Sequence, residues 1–187
     1  MAGILTVQTI QGPTSGANAN KVIIPAGQTL SVTDGVQVSD MPAGSVIQTL
    51  TYTHPSGTAL ETSSDSFVST GINLTITPYF TNSKIIITLM GGTKDSNATS
   101  VQGVNALYRN INSAGDSFLV HFGSDYQENL FWTQHSAEYV DDSHNTTSTI
   151  KYTLYMKSRG SAGIYRFHQS IGGVSMPVTF KIQEIKQ

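Results

Sequence analysis

The sequence predicts an all-β protein: a short intertwined N-terminal β stalk followed by an antiparallel β-sandwich of jelly-roll type. Three observations lead there. Apolar residues recur at every second position in short runs, which is the period of a half-buried strand. Gly, Pro, Asn and Asp punctuate those runs at regular spacing, as all-β sandwiches require. No long stretch carries the 3.6-residue period of a helix.

The N-terminal stretch has its own composition. Residues 1–44 contain no aromatic residue, and every aromatic lies between Tyr52 and Phe180. Lys21, Asp34 and Asp40 are the charged residues of this stretch. Its apolar residues come as alternating pairs: Val22 and Ile24 before Pro25, Leu30 and Val32 before Asp34-Gly35, and Val36 and Val38 before Asp40. A segment this small buries too little surface to fold alone. Without cysteine or a metal motif, oligomerisation is the remaining route, so Val22, Ile24, Leu30, Val32, Val36 and Val38 are expected to line an intertwined oligomeric stalk. The alternative is a flexible linker, against which the regular alternation argues. Met41-Pro42-Ala43-Gly44 reads as the joint, giving a stalk over 1–44 and a knob over 45–187.

From Ser45 the elements follow in order. Ser45–Thr53 alternates imperfectly, and His54-Pro55-Ser56-Gly57 is a turn. In Ser66–Gly92, Ile72, Leu74 and Ile76 alternate with polar residues. Pro78 ends that run because it has no amide hydrogen for a ladder, and Lys84–Met90 follows as a second strand. The short link between them predicts a hairpin. Phe118–Phe122, Leu130–Thr133, Ser148–Lys157, Ile164–His168 and Val178–Ile185 supply further strands, and Val104–Ile111 suits strand or helix by pattern, with its neighbours favouring strand. Ile150, Tyr152, Leu154 and Met156 are expected to face one side. Polar stretches at Gly92–Gly103, Gly123–Glu128 and Val140–Thr147 read as exposed loops and candidate contact regions.

Composition narrows the function. Of 187 residues, 38% are hydrophobic and 12% charged, with Thr, Ser, Asn, Gln and Gly making up the difference. The net charge is −2, with no basic run to follow a phosphate backbone, so no nucleic-acid partner is expected. No apolar run approaches the roughly 20 residues that span a bilayer, so no membrane insertion is expected. The N-terminus has neither the basic nor the long apolar region of a signal peptide. With no cysteine, folding needs no disulfide. Sequons at Asn73, Asn97 and Asn145 are expected to be unused.

Catalytic and metal constellations are weak. His54, His121, His135, His144 and His168 are dispersed, with no HExxH or GxSxG. No catalytic residue, metal site or cofactor is expected, and the protein is read as a non-enzyme. Asp141-Asp142-Ser143-His144 carries cation-ligand chemistry, with a solvated loop as the simpler reading. Tyr126, Trp132 and Tyr139, with Asp141, Asp142 and His144, form the candidate surface-recognition set, because aromatic and polar loop groups grip sugars and protein surfaces. The alternative places Phe131 and Trp132 in the core with Tyr126 closing its edge.

Three stretches carry a resemblance. Ile10–Val32 (IQGPTSGANANKVIIPAGQTLSV), with Met41–Leu50, resembles the N-terminal segments of tail-fibre-like structural proteins of marine bacteriophages. Phe67–Gly92 (FVSTGINLTITPYFTNSKIIITLMGG) resembles the Thr-Gly, Ile-Thr-Pro and Ser-Lys-Ile pattern of their C-terminal domains, and Val178–Ile185 is similar to their last strand. The resemblance implies a homotrimeric virion fibre assembled in the host cytoplasm. Its N-terminal segment would meet other tail or capsid proteins, and its β-sandwich knob would attach to a host-surface glycan or outer-membrane protein. An architectural head fibre, decoration or tail connector protein without receptor contact is the alternative. Met1 leads almost directly into the stalk, which suggests a short fibre, a distal segment mounted on another protein, or a head-bound one.

Overall fold

The computed structural model describes residues 13–17, 26, 37–54, 60–96, 101–127, 133–159, 163–167 and 177–187. The chain divides into two compact units, Met1–Gln37 and Val38–Gln187. In the first, residues 13–17 form a bend in which Gly16 has φ 89°. The expected stalk residues Val22, Ile24, Leu30, Val32 and Val36 lie outside the described residues.

The second unit begins with a short 3-10 helix, Val38–Asp40, in which Val38 is half-buried. Among the described residues ten strands follow: β1 (Val46–His54), β2 (Leu60–Thr62), β3 (Val68–Ile76), β4 (Lys84–Ser96), β5 (Val101–Ile111), β6 (Ser117–Gln127), β7 (Thr133–Asp141), β8 (Ile150–Arg159), β9 (Tyr165–Phe167) and β10 (Val178–Ile185). They form a sandwich in which every recorded strand pair is antiparallel. One sheet runs β1-β10-β4-β9-β2, with β7 also on β4; the other runs β3-β8-β5-β6. Lys94 pairs with both Thr133 and Phe167, so β7 holds one edge of β4. On the opposite edge β10 and β9 follow one another.

With the short β2 and β9 set aside, the pairing is nested. β1 pairs with β10, β3 with β8, β4 with β7, and β5 with β6. Rolling that nest up adds the contacts of β10 with β4 and of β8 with β5. This is the jelly roll, an eight-strand fold of two interlocked Greek keys. It corrects the expectation of a β3–β4 hairpin, because the two strands lie in different sheets. Ile72 and Ile76 oppose Ile85, Ile87 and Leu89 across the core, which apolar strands achieve face to face rather than edge to edge.

The core is built from alternate residues of each inner face. Ile150, Tyr152, Leu154 and Met156 of β8 are all buried, as the alternation predicts. They meet Val178, Phe180 and Ile182 of β10, with Phe122, Tyr165 and Phe167 in the same cluster. Each such side chain contributes about 1.5–3 kcal/mol of hydrophobic stabilisation.

Strand direction sorts the connections to two ends. The near end holds the 77–83, 112–116 and 142–149 connections, together with Val38–Ser45 and Lys186–Gln187. There Gly44 N donates to Lys186 O at 2.7 Å and Lys186 N to Ser45 O at 3.0 Å. Lys186 Nζ also donates to the carbonyls of Ser39 and Met41, at 2.5 and 2.6 Å. These bonds tie residues ahead of the expected Met41–Gly44 joint, Val38 included, into the sandwich unit. The far end is formed by His54, Ser96, Val101, Gln127, Thr133, Arg159 and Val178.

The expected contact loops fare differently. The polar stretch Gly92–Gly103 is mostly strand, since β4 runs to Ser96 and β5 starts at Val101. Gly123–Gln127 belongs to β6. Polar residues continue these strands because the ladder satisfies their backbone and one face of an antiparallel sheet can meet water. Val140–Thr147 does contain a loop, but at the near end, opposite the other two.

Candidate functional site

The recognition residues expected at Asp141 and His144 are buried, at 0% and 3% exposure, which corrects their assignment to the surface. Asp141 ends β7 in one sheet and points at β5 and β8 of the other. Arg109 Nη1 donates to both its oxygens at 2.8 Å. Tyr152 OH donates to Oδ2 at 2.6 Å, and Ser143 donates N–H and O–H to Oδ1 at 3.1 and 3.0 Å. Burial alone would raise this carboxyl. The Tyr152 and Arg109 hydrogen bonds, the Ser143 amide and the guanidinium charge outweigh it and hold the pKa below the ordinary aspartate value. Burial and the adjacent Asp141 carboxylate push the Tyr152 phenol well up. A carboxylate this fully bonded is a lock between sheets, and neither a ligand for a cation nor a free base.

His144 is a second fastening. Its Nε2 lies 2.8 Å from the Ser83 carbonyl and its Nδ1 3.0 Å from the Thr146 carbonyl, tying the 142–149 loop to the 77–83 connection. Glu184 fastens that same connection from β10. Its carboxylate accepts the amides of Tyr79 at 2.9 Å and Phe80 at 3.2 Å, and the Gln48 side chain at 2.7 Å. Tyr139 is half-buried against the core, and Asp142 is exposed. Trp132 lies outside the described residues, and Tyr126 sits in β6 at the register position opposite Gln102. Among the described residues, no group of three His, Asp or Glu side chains is placed to hold a metal ion.

The structure assembles a different cluster, on the outer face of the β3-β8-β5-β6 sheet. Phe67, just ahead of β3, lies 5.9 Å from the Tyr108 ring of β5 and 5.8 Å from the His121 ring of β6. Phe118, also of β6, meets His121 edge-on at 4.9 Å and Tyr108 at 5.7 Å. Tyr155 of β8 lies against Tyr108 at 4.1 Å. Phe118 stays 48% exposed, so the cluster is not sealed. Such edge-on and offset contacts add to area burial and fix ring orientation.

Charge frames these rings. Lys157 Nζ stands over the Phe67 ring at 4.5 Å, a cation–π contact. Lys157 and Arg159, two apart on β8, share its outer face with Tyr155. With Gln102, Val104 and His121 they line a cavity of about 150 Å³. Among the described residues neither cation has a carboxylate partner. Toward the near end, Tyr155 OH donates to Asp116, which also accepts Asn110 Nδ2 at 2.8 Å. The Tyr155 and Asn110 hydrogen bonds hold the Asp116 carboxyl down, and the first of them pushes Tyr155 up to about 12. A second, polar cavity of about 350 Å³ follows, lined by Thr75, Asn110, Asn112, Ser113, Thr149 and Lys151.

No protein-family model matches the chain, and no curated protein matches it. Among solved structures, the chain is similar in fold to one from the Gx strain of infectious bursal disease virus, at 10% identity and a TM-score of 0.39, covering 75% of this chain and 37% of that one. A chain from the Gt strain gives 8% identity and 0.37, covering 89% and 47%. A mutant VP2 protein of that virus, from derived T=1 particles, gives 8% and 0.37, covering 93% and 47%. This chain thus spans less than half the length of each of these three structures.

Proposed function

We propose that the protein is a structural component of a bacteriophage virion, a homotrimeric tail fibre whose jelly-roll domain is a non-enzymatic knob for host-surface attachment. One observation carries this reading: Val38–Ser45 and Lys186 are bonded together at the near end, so the chain enters the sandwich at the end opposite its far-end connections. A domain held by one end is suited to presentation on a stalk. The resemblance of Ile10–Val32, Met41–Leu50 and Phe67–Gly92 to marine phage fibres supports the virion setting, and the aromatic-free residues 1–44 support an oligomeric stalk. Asp141, Arg109, Tyr152 and His144 are committed to fastening the fold, which favours binding over catalysis.

Purified protein added in excess should reduce phage adsorption to host cells, and native mass measurement should give a trimer. Absence of competition at saturating protein would leave the architectural reading, a head fibre, decoration or connector protein. A stable monomer would overturn the stalk.

A further inference from the structure

Resting on the attachment reading, we propose that the outer face of the β3-β8-β5-β6 sheet binds an anionic carbohydrate. Its negative group would lie in the Lys157–Arg159–His121 cavity and its sugar ring against Phe118.

Two cations with no carboxylate partner among the described residues, together with an imidazole, converge on a cavity of about 150 Å³. At roughly 30 Å³ per water, that space takes a carboxylate or phosphate and part of a ring. Lys157 is held in place by its contact with Phe67, so little side-chain freedom is lost when an anion arrives. Local charge favours an anion although the chain is net −2. Asp116 on this face is occupied by Tyr155 and Asn110, with Lys151 4.0 Å away.

The rings point to a sugar. Phe118 is half-exposed and held edge-on by His121 and Tyr108, so it offers a preorganised flat surface. The C–H face of a sugar carries weakly positive hydrogens that complement the negative ring face. Gln102 and His121 supply hydrogen-bonding groups at its rim. An extended peptide fits less well, because strand addition would occur at the β3 or β6 edge and not over Lys157 and Arg159 of β8, which is paired on both sides. A nucleic acid strand would call for a longer cationic track.

The test is calorimetric titration of the full-length protein with trigalacturonate and phosphomannan, against neutral galactotriose and mannan. The expected result is that at least one anionic sugar binds, about tenfold to a hundredfold more tightly than its neutral counterpart, as a charge-assisted contact implies. In a Lys157→Gln/Arg159→Gln variant that preference disappears. Phe118→Ala weakens binding of the anionic sugar by about tenfold or more, with the variant still fully folded at the titration temperature, since the ring is half outside the fold. Binding to neither anionic sugar, equal binding of neutral and anionic forms, or a double variant that keeps the preference would each overturn the proposal. Adsorption competition separates the two levels. If wild type and the double variant compete equally, attachment stands and the sugar site falls. If neither competes while the preference is lost in the variant, the sugar site stands and attachment falls.

Discussion

Tyr152 on β8 donates its phenolic O–H to the Asp141 carboxylate on β7 at 2.6 Å, a buried hydrogen bond that joins the two sheets of the sandwich. Arg109 reaches the same carboxylate from β5, so three strands from two sheets meet on one side chain.

Asp141→Asn should therefore destabilise the domain severely. It leaves the Arg109 guanidinium facing a neutral amide and removes acceptor capacity for Tyr152 and Ser143. Breaking a buried pair from one side costs about 3–5 kcal/mol. Urea denaturation checks this, and a loss below about 1 kcal/mol would mean that solvent already shares the pair.

The same carboxylate sets an acid limit. Its folded pKa lies below the unfolded aspartate value of about 3.9. A depressed carboxyl contributes stability that is fully present above the unfolded value and lost as pH falls through the folded one. Wild-type melting temperature should fall with acid below about pH 4, and the Asp141→Asn curve should be flatter there. Parallel curves would assign acid sensitivity to other groups.

Tyr155 should titrate late. Its phenol is pushed up to about 12 by the hydrogen bond to Asp116, with burial adding to it. For a group favoured in its neutral form, the stabilising contribution is present below the unfolded value of about 10 and lost as pH rises through the folded one. Ultraviolet titration of tyrosinate in wild type and Asp116→Asn tests this. The variant should lose one late-titrating phenol.

Gly91→Ala should weaken the six-stranded sheet. Gly91 has φ +82°, and an added Cβ would stand 2.2 Å from the Pro177 carbonyl oxygen. It sits at the β4 irregularity between Met90 and Thr93, where that strand passes from β10 toward β9. Left-handed strain plus a backbone clash costs about 1–3 kcal/mol or more. A melting temperature equal to wild type would show that β4 shifts freely at this point.

Much of the sandwich was legible from period alone. The β8 alternation and the Val178–Ile185 strand appear in the sequence as they do in space, because inner-face residues must be apolar and successive residues alternate. The β3–β4 link was misread because Pro78 and Thr81-Asn82-Ser83 suit a hairpin and a sheet-to-sheet crossover equally. The glutamate that decides the crossover, Glu184, lies 105 residues from Tyr79. Asp141 and His144 sit in a polar run that suggests solvent, and their partners Arg109 and Ser83 come from other strands or connections. The aromatic face was missed for the same reason, since Phe67, Tyr108, Phe118 and Tyr155 come from four segments. One local signal existed. If Ile150, Tyr152, Leu154 and Met156 face the core, then Tyr155, Lys157 and Arg159 face outward, and an outward aromatic beside two cations marks a surface with a use.

The nested pairing has a consequence for how the chain is made. β10 is synthesised well after β1 and β4, yet it lies inside its sheet between them, with Gln48 bonded to a glutamate 136 residues later. The sheet cannot be laid down in the order of synthesis. The β5–β6 pair can form early, while β1 and β4 stay apart with open edges until Val178–Ile185 arrives. Closure by such distant pairings is slow and leaves sticky intermediates. Nascent chains truncated before Val178 should stay protease-sensitive through β1 and β4, and emergence of Val178–Ile185 should trigger protection of the whole domain at once.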